Sequence, residues 1–177
     1  MLKHLEELIL DFTYLPEKIT AQNFMVLYGF LGDLPQLQNL QLHMNEDDSS
    51  DASILFFSKV IPKLRSLHTF QVKLFSSSKL IAVKGSTLVR LIESFTHLKV
   101  LSSLLLGIRC SEVDSECAKL LVSSLKKMKR LNNLYIFLEK ENGDKNPLKC
   151  LDKLREQLQM KIDTHFYFGV SRVKMFY

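Results

Sequence analysis

Tryptophan is absent from this chain, and cysteine, proline and glycine are scarce: three, four and six among 177 residues. Three cysteines (Cys110, Cys117 and Cys150) are an odd number and too few for a disulfide-stapled miniprotein. The spacing Cys110-x6-Cys117 is neither a zinc nor a redox spacing, and burial as small apolar side chains suits these residues better. The five histidines (His4, His43, His68, His97 and His165) form no metal-ligand spacing with cysteine or carboxylate. No glycine-rich phosphate loop and no G-x-S-x-G elbow occurs. Apolar runs such as Ile54-Leu55-Phe56-Phe57 and Leu104-Leu105-Leu106 fall far short of the roughly 20 residues that span a bilayer. Lys3-His4-Leu5-Glu6-Glu7 brings acidic charge too early for a signal peptide. These absences argue against an enzyme, against a cofactor or metal, and against a membrane span. The expected location is cytoplasmic, at least intracellular and not secreted.

Leucine is what the chain has instead: 33 residues, within a hydrophobic fraction of 46%. That is enough apolar material for one continuous core, and the length suits a single domain over residues 1–177. Charge is uneven. Residues 1–60 hold three basic and nine acidic side chains, a net of −6, and the remainder holds 21 against 10, a net of +11. The acidic peak is Glu46-Asp47-Asp48-Ser49-Ser50-Asp51, and the basic peak is Lys126-Lys127-Met128-Lys129-Arg130. Asymmetry of this kind steers association with charged partners, although charge runs are more often solvated turns. The basic cluster contains no aromatic platform, which disfavours nucleic acid as a partner.

The leucines are periodic. L-x-x-L-x-L, with conservative replacements, starts at Leu5, Leu37, Leu67, Leu101 and Leu131. The copies read Leu5/Leu8/Leu10, Leu37/Leu40/Leu42, Leu67/Phe70/Val72, Leu101/Leu104/Leu106 and Leu131/Leu134/Ile136. A degenerate sixth copy reads Asp163/Phe166/Phe168. Leu2, Leu34, Leu64, Leu98 and Met128 each stand three residues upstream of a copy. A period of three therefore shortens to a period of two, as when a helix or turn feeds a short strand. Between the copies, apolar spacing near three and four predicts helices over 17–31, 51–61, 79–95, 112–127 and 147–160. Asp51 and Ser111 read as N-caps and Pro147 as a first-turn residue, and Gly85-Ser86 divides the third stretch.

Strand, turn and helix repeating about every 30 residues, with L-x-x-L-x-L at each strand, resembles the leucine-rich-repeat family, in its ribonuclease-inhibitor-like subtype. The resemblance covers residues 2 to about 168. It implies an α/β solenoid, or horseshoe, of five to six irregular repeats, with short parallel strands on the concave face and helices on the convex face. It also implies protein partners rather than substrates. The family's usual Asn or Cys three residues past the strand motif is matched only by Asn45; Thr13, Phe75, Arg109, Glu139 and Ser171 stand at the other copies. An all-helical solenoid is the competing architecture, against which Leu8-Ile9-Leu10, Phe70-Gln71-Val72 and Tyr135-Ile136-Phe137 speak as strand-forming blocks.

Side chains alternate along a strand, so the residues between the core positions face outward. In order these are Ile9 and Asp11, Gln41 and His43, Gln71 and Lys73, Leu105 and Gly107, Tyr135 and Phe137, and Tyr167 and Gly169. The earlier copies present mostly polar groups, and the later ones present Leu105, Tyr135, Phe137 and Tyr167. The expected protein-binding residues are these four with His43 and Lys73. Either a partner covers this apolar surface, or the terminal segment 169–177 folds over it as a cap, or serves as a docking tail. A one-residue slip in register would exchange the two faces. His43 and Asp11 can be drawn as an acid–base pair, which adjacency of repeats alone would produce. No capping segment precedes the first copy, so the chain either packs on another subunit there or belongs to a longer protein. The expected function is a non-catalytic interaction module or scaffold. The alternatives are a structural subunit of a large assembly and an RNA-associated protein using the basic second half.

Overall fold

The computed structural model describes residues 2–13, 20–45, 51–75, 83–112, 115–139 and 163–169. The elements are β1 (Glu7–Asp11), α1 (Ala21–Leu31), β2 (Asn39–Asn45), α2 (Asp51–Val60), β3 (Thr69–Phe75), β4 (Val83–Lys84), α3 (Gly85–Phe95), β5 (Ser103–Glu112), α4 (Ser115–Lys127), β6 (Asn133–Glu139) and β7 (Asp163–Gly169). A 3-10 turn, Ile61–Lys63, extends α2. Among the described residues every strand pair is parallel, and the main sheet runs β1-β2-β3-β5-β6-β7. The short β4 pairs with β5 at Cys110 and Glu112, past the point where the pairing of β3 ends. The molecule is therefore mixed α/β, with four helices and a parallel sheet among the described residues. No described helix is long and apolar enough to cross a membrane.

The leucine spacing explains the turn that joins each helix to its strand. The amide of each first motif leucine donates to the carbonyl three residues back: Leu5 to Leu2, Leu37 to Leu34, Leu67 to Leu64, Leu101 to Leu98 and Leu131 to Met128. One step earlier the same i to i−3 bond recurs, Leu34 to Leu31, Leu64 to Ile61, Leu98 to Phe95 and Met128 to Leu125. Bonds of this kind wind three residues per turn, so side chains three apart stack on one side. Leu31, Leu34, Leu37 and Leu40 are all buried for that reason, as are their counterparts beginning at Ile61, Phe95 and Leu125. The chain then extends and burial switches to every second residue, Leu40 and Leu42, Phe70 and Val72, Leu104 and Leu106.

A second regularity ties neighbouring units together. The carbonyl of Glu6 accepts from the amides of Gln38 and Asn39. Those of Gln38, His68 and Ser102 accept in the same way from residues 68–69, 102–103 and 132–133. Serine hydroxyls reinforce two of these turns: Ser66 donates to the Pro35 carbonyl at 2.8 Å and Ser102 to that of His68 at 3.2 Å.

The described helices fall within the predicted stretches: α1, α3 and α4 start later than expected, and α2 starts at Asp51 as expected and ends one residue short, at Val60. α1 opens at Ala21 instead of residue 17, because Thr20 forms a capping box with Asn23: the Asn23 amide donates to Thr20 Oγ1 and the Thr20 amide to Asn23 Oδ1. Gly85-Ser86 does not divide a helix but begins α3, after β4. Ser111 is no N-cap: it lies within β5, and α4 begins at Ser115. Asp51 is the first residue of α2, and its carboxylate accepts from the Lys84 amide at the start of α3. The predicted helix 147–160, with Pro147, and the residues beyond Gly169 lie outside the described residues.

The core runs as one cluster between helices and sheet. In its N-terminal half it is an aromatic file. Phe12 meets Phe24 edge-on at 5.9 Å, Phe24 meets Tyr28 at 5.9 Å, Tyr28 meets Phe57 at 4.4 Å, Phe57 meets Phe70 at 5.7 Å and Phe70 meets Phe95 at 4.9 Å. Offset and edge-on rings at such distances add about 0.5–1.5 kcal/mol per pair beyond their burial. Past Phe95 the core turns aliphatic, with Leu104, Leu106, Leu121, Leu125, Leu131 and Leu134. Gly32 lets α1 end close to α2, since a Cβ there would lie 3.1 Å from Val60 Cγ1 and 3.2 Å from Lys63 Cδ.

Candidate protein-binding face

Burial separates the two faces of the sheet. Leu40, Leu42, Phe70, Val72, Leu104, Leu106 and Leu134 are buried, whereas Ile9 and Asp11 are exposed and Gln41, His43, Gln71, Lys73, Leu105, Gly107 and Tyr135 are half-buried. The outward set is the one expected from strand alternation. Register brings it into two rows. Ile9, Gln41, Gln71, Leu105, Tyr135 and His165 form one, and Asp11, His43, Lys73, Gly107, Phe137 and Tyr167 the other. The side chains of Phe137, His165 and Tyr167 lie outside the described residues, so these positions are placed by backbone register alone.

The sixth strand is registered differently from the expected motif. Phe166 stands level with Ile136 and Thr164 with Leu134, so the Asp163/Phe166/Phe168 reading is displaced by two residues. A shift of two keeps each residue on its face. Tyr167 therefore stays in the outward row, beside Phe137, and His165 joins the row of Tyr135. Gly169 stands level with Glu139, one step beyond both rows.

At the polar end, three strands are linked through side chains. Thr13 donates to Asp11 Oδ1 from its hydroxyl and from its amide, the latter at 3.0 Å. Asp11 Oδ2 stands 3.5 Å from His43 Nδ1, and His43 Nε2 stands 3.1 Å from Gln71 Nε2. His43 thus stands between the Asp11 carboxylate and the Gln71 side-chain amide, one ring nitrogen facing each. The Thr13 hydroxyl and amide hold the Asp11 carboxyl below its ordinary pKa, with smaller help from His43. The predicted Asp11–His43 pair thus exists, but its third member is an amide, which is no nucleophile. The arrangement links three side chains on the open face. No group of three or more His, Cys, Asp or Glu that could hold a metal occurs among the described residues.

Lys73 stands level with Gly107, and a Cβ at Gly107 would meet Lys73 Cα at 3.7 Å and its Cγ at 3.8 Å. The sequence reading missed the Thr13 and Gln71 partners. Asp-x-Thr, a side chain bonding the amide two residues on, is the local signal for the first. The second follows only from register. No family model matches the chain, and no match was found among curated proteins.

Proposed function

We propose that this chain is a protein-recognition module of the leucine-rich-repeat kind, a solenoid without catalytic activity that binds its partner on the open face of the parallel sheet. The observation that carries this reading is that face itself. Its described residues form in-register rows, polar at β1–β3 except for the exposed Ile9 and apolar at Leu105 and Tyr135, on the side of the sheet away from the buried core. A surface built on hydrogen-bonded strands needs little reordering on binding, which favours recognition. Leu105, Tyr135, Phe137 and Tyr167 are the proposed apolar contacts, and His43 and Lys73 the polar ones. Leucine-rich-repeat membership is supported by five in-phase motif copies, by the shared i to i−3 turns and by the parallel strand order.

The test is a tagged capture from source cells, with and without nuclease, using the natural chain, a Leu105→Ser/Tyr135→Ser variant and a helix-side control, Leu120→Ser. The expected result is a set of proteins held by the natural chain and the control, lost with the double variant and indifferent to nuclease. Equal capture by all three chains would overturn the reading. Loss on nuclease treatment would transfer the function to the basic half and to RNA.

A further inference from the structure

The basic peak Lys126-Lys127-Met128-Lys129-Arg130 has neighbours in space that lie far from it in sequence. Leu64, Leu98 and Met128 stand at the same point of three successive helix-to-strand turns, and each is buried. The i to i−3 bonds around them wind three residues per turn, so the residues on either side of each point roughly 120° away from it, into solvent. Those flanking residues are Lys63 and Arg65, His97 and Lys99, and Lys127 and Lys129, all exposed, as is Arg130 beside them. The three turns lie side by side, because β3, β5 and β6 are adjacent strands. The carbonyl of His68 accepts from the amides of Ser102 and Ser103, and that of Ser102 from the amides of Asn132 and Asn133. Two lines of basic side chains therefore run along the edge of the molecule where the strands begin. Residues 62–66, 96–100 and 126–130 hold seven Lys or Arg and no Asp or Glu. Among the described residues, no side-chain ion pair or hydrogen bond engages Lys63, Arg65, Lys99, Lys127, Lys129 or Arg130. In the turn before β2, Asp33 holds the place of Lys63, so the stripe starts at the turn before β3.

We infer that this turn edge docks an extended, Asp- and Glu-rich segment of another protein, laid across the three turns. Charge complementarity selects the class of partner: the edge offers unpaired cations of both lines and no acidic group to repel an anion. Composition then selects among anions. The three turns contain no aromatic residue, so they offer no platform on which the bases of a single strand could stack. The exposed large apolar residues (Leu2, Ile9, Val26, Phe30 and Leu120) all lie outside these turns, so the edge has nothing to insert beneath lipid headgroups. Spacing favours a polypeptide. Neighbouring strands stand about 4.8 Å apart, and side chains on one side of an extended chain recur roughly every 6.6 Å, a mismatch that long Lys and Arg side chains absorb. A flexible acidic chain reaches both lines, whereas a rigid duplex presents one straight row of phosphates to so short an edge. Each exposed pair is weak, so affinity comes from several made together and falls as salt screens them. The inference concerns the turn edge and is independent of what the open face binds.

Fluorescence anisotropy of a labelled oligo-glutamate peptide, titrated with the full chain, tests it. An oligo-glutamine peptide, a short RNA duplex and phosphatidylserine vesicles are titrated in parallel. The expected result is saturable binding of oligo-glutamate that weakens with rising salt, no binding of oligo-glutamine, and weaker binding of duplex and vesicles. Lys99→Glu/Lys129→Glu should weaken the peptide complex about tenfold, since it removes weak pairs and adds repulsion. Lys63→Glu/Arg65→Glu, confined to one turn, should act in the same direction. Arg90→Glu/Lys119→Glu makes the same change of net charge on the exposed sides of α3 and α4 and should leave the affinity within about twofold, as befits contacts beyond a Debye length. All six residues are exposed, and unfolding midpoints verify that each variant is folded. Absence of oligo-glutamate binding, or equal weakening by the helix variant, would overturn the inference. Tighter binding of the duplex or the vesicles, lost in the same turn variants, would also overturn it and assign the edge to that anion.

Discussion

Phe57 is the residue on which the aromatic file turns, since it touches Tyr28 in α1 and Phe70 in β3. Phe57→Ala removes two ring contacts and leaves a cavity between three units, so a loss of about 3–5 kcal/mol is expected in urea unfolding. At the open face, Asp11 gives a pH prediction. Its carboxyl is held below the ordinary value of 3.8, first by the Thr13 hydroxyl and amide, so folding favours its charged form. The stability it contributes is present above pH 4 and lost as pH falls through the depressed value. Side-chain NMR titration should therefore find Asp11 below 3.8, and Thr13→Ala should move it upward; an unmoved midpoint would deny Thr13 that role. Asp11 is largely solvent-exposed, which keeps the effect on global stability small. The identity of these outward residues was legible from strand alternation. The Asp11–His43–Gln71 contacts were less so, because each member comes from a different unit some 30 positions away.

The strand–turn–helix unit shows what burial does to equal sequence. Leu8 and Leu40 hold the same motif position and stand level in register, but Leu40 is wholly buried and Leu8 only partly. Leu40→Ala should cost about 2–5 kcal/mol and Leu8→Ala clearly less, measured as the shift in chemical unfolding. Gly32 tests the α1–α2 contact: Gly32→Val drives a branched side chain into Val60 and Lys63 and should cost about 1–3 kcal/mol. Gly107→Ala meets its neighbours only at ordinary contact distance and should be nearly neutral. Element positions were largely readable, since a spacing of three marks the 3-10-type turn and a spacing of two marks the strand. Element starts were read less well. The Thr20–Asn23 capping box overrode the apolar spacing at α1, and the ten-residue β5 absorbed Ser111 before α4 could begin.

On the scale of the whole molecule, the helices contact their neighbours in chain order, α1 with α2, α2 with α3 and α3 with α4, and the strands do the same except that β3 pairs with β5, past the short β4. Stability in such an arrangement is a sum of unit and neighbour terms, so end units open first. Hydrogen exchange should be slowest at residues 40–42, 70–72 and 104–106 and faster at 8–10; uniform protection would contradict the nearest-neighbour picture. What the sequence by itself determined is the unit: which residues turn, which extend, and which side of each strand is apolar. Those choices rest on local periodicity, and local hydrogen bonds enforce them. The tertiary structure alone decided the relations between units. The two-residue displacement of β7, the union of Asp11, His43 and Gln71, and the half-buried leucines of β1 all depend on which strand lies beside which. Neighbour pairing is settled by the summed burial and hydrogen bonding of whole elements, a quantity that no single stretch of sequence contains.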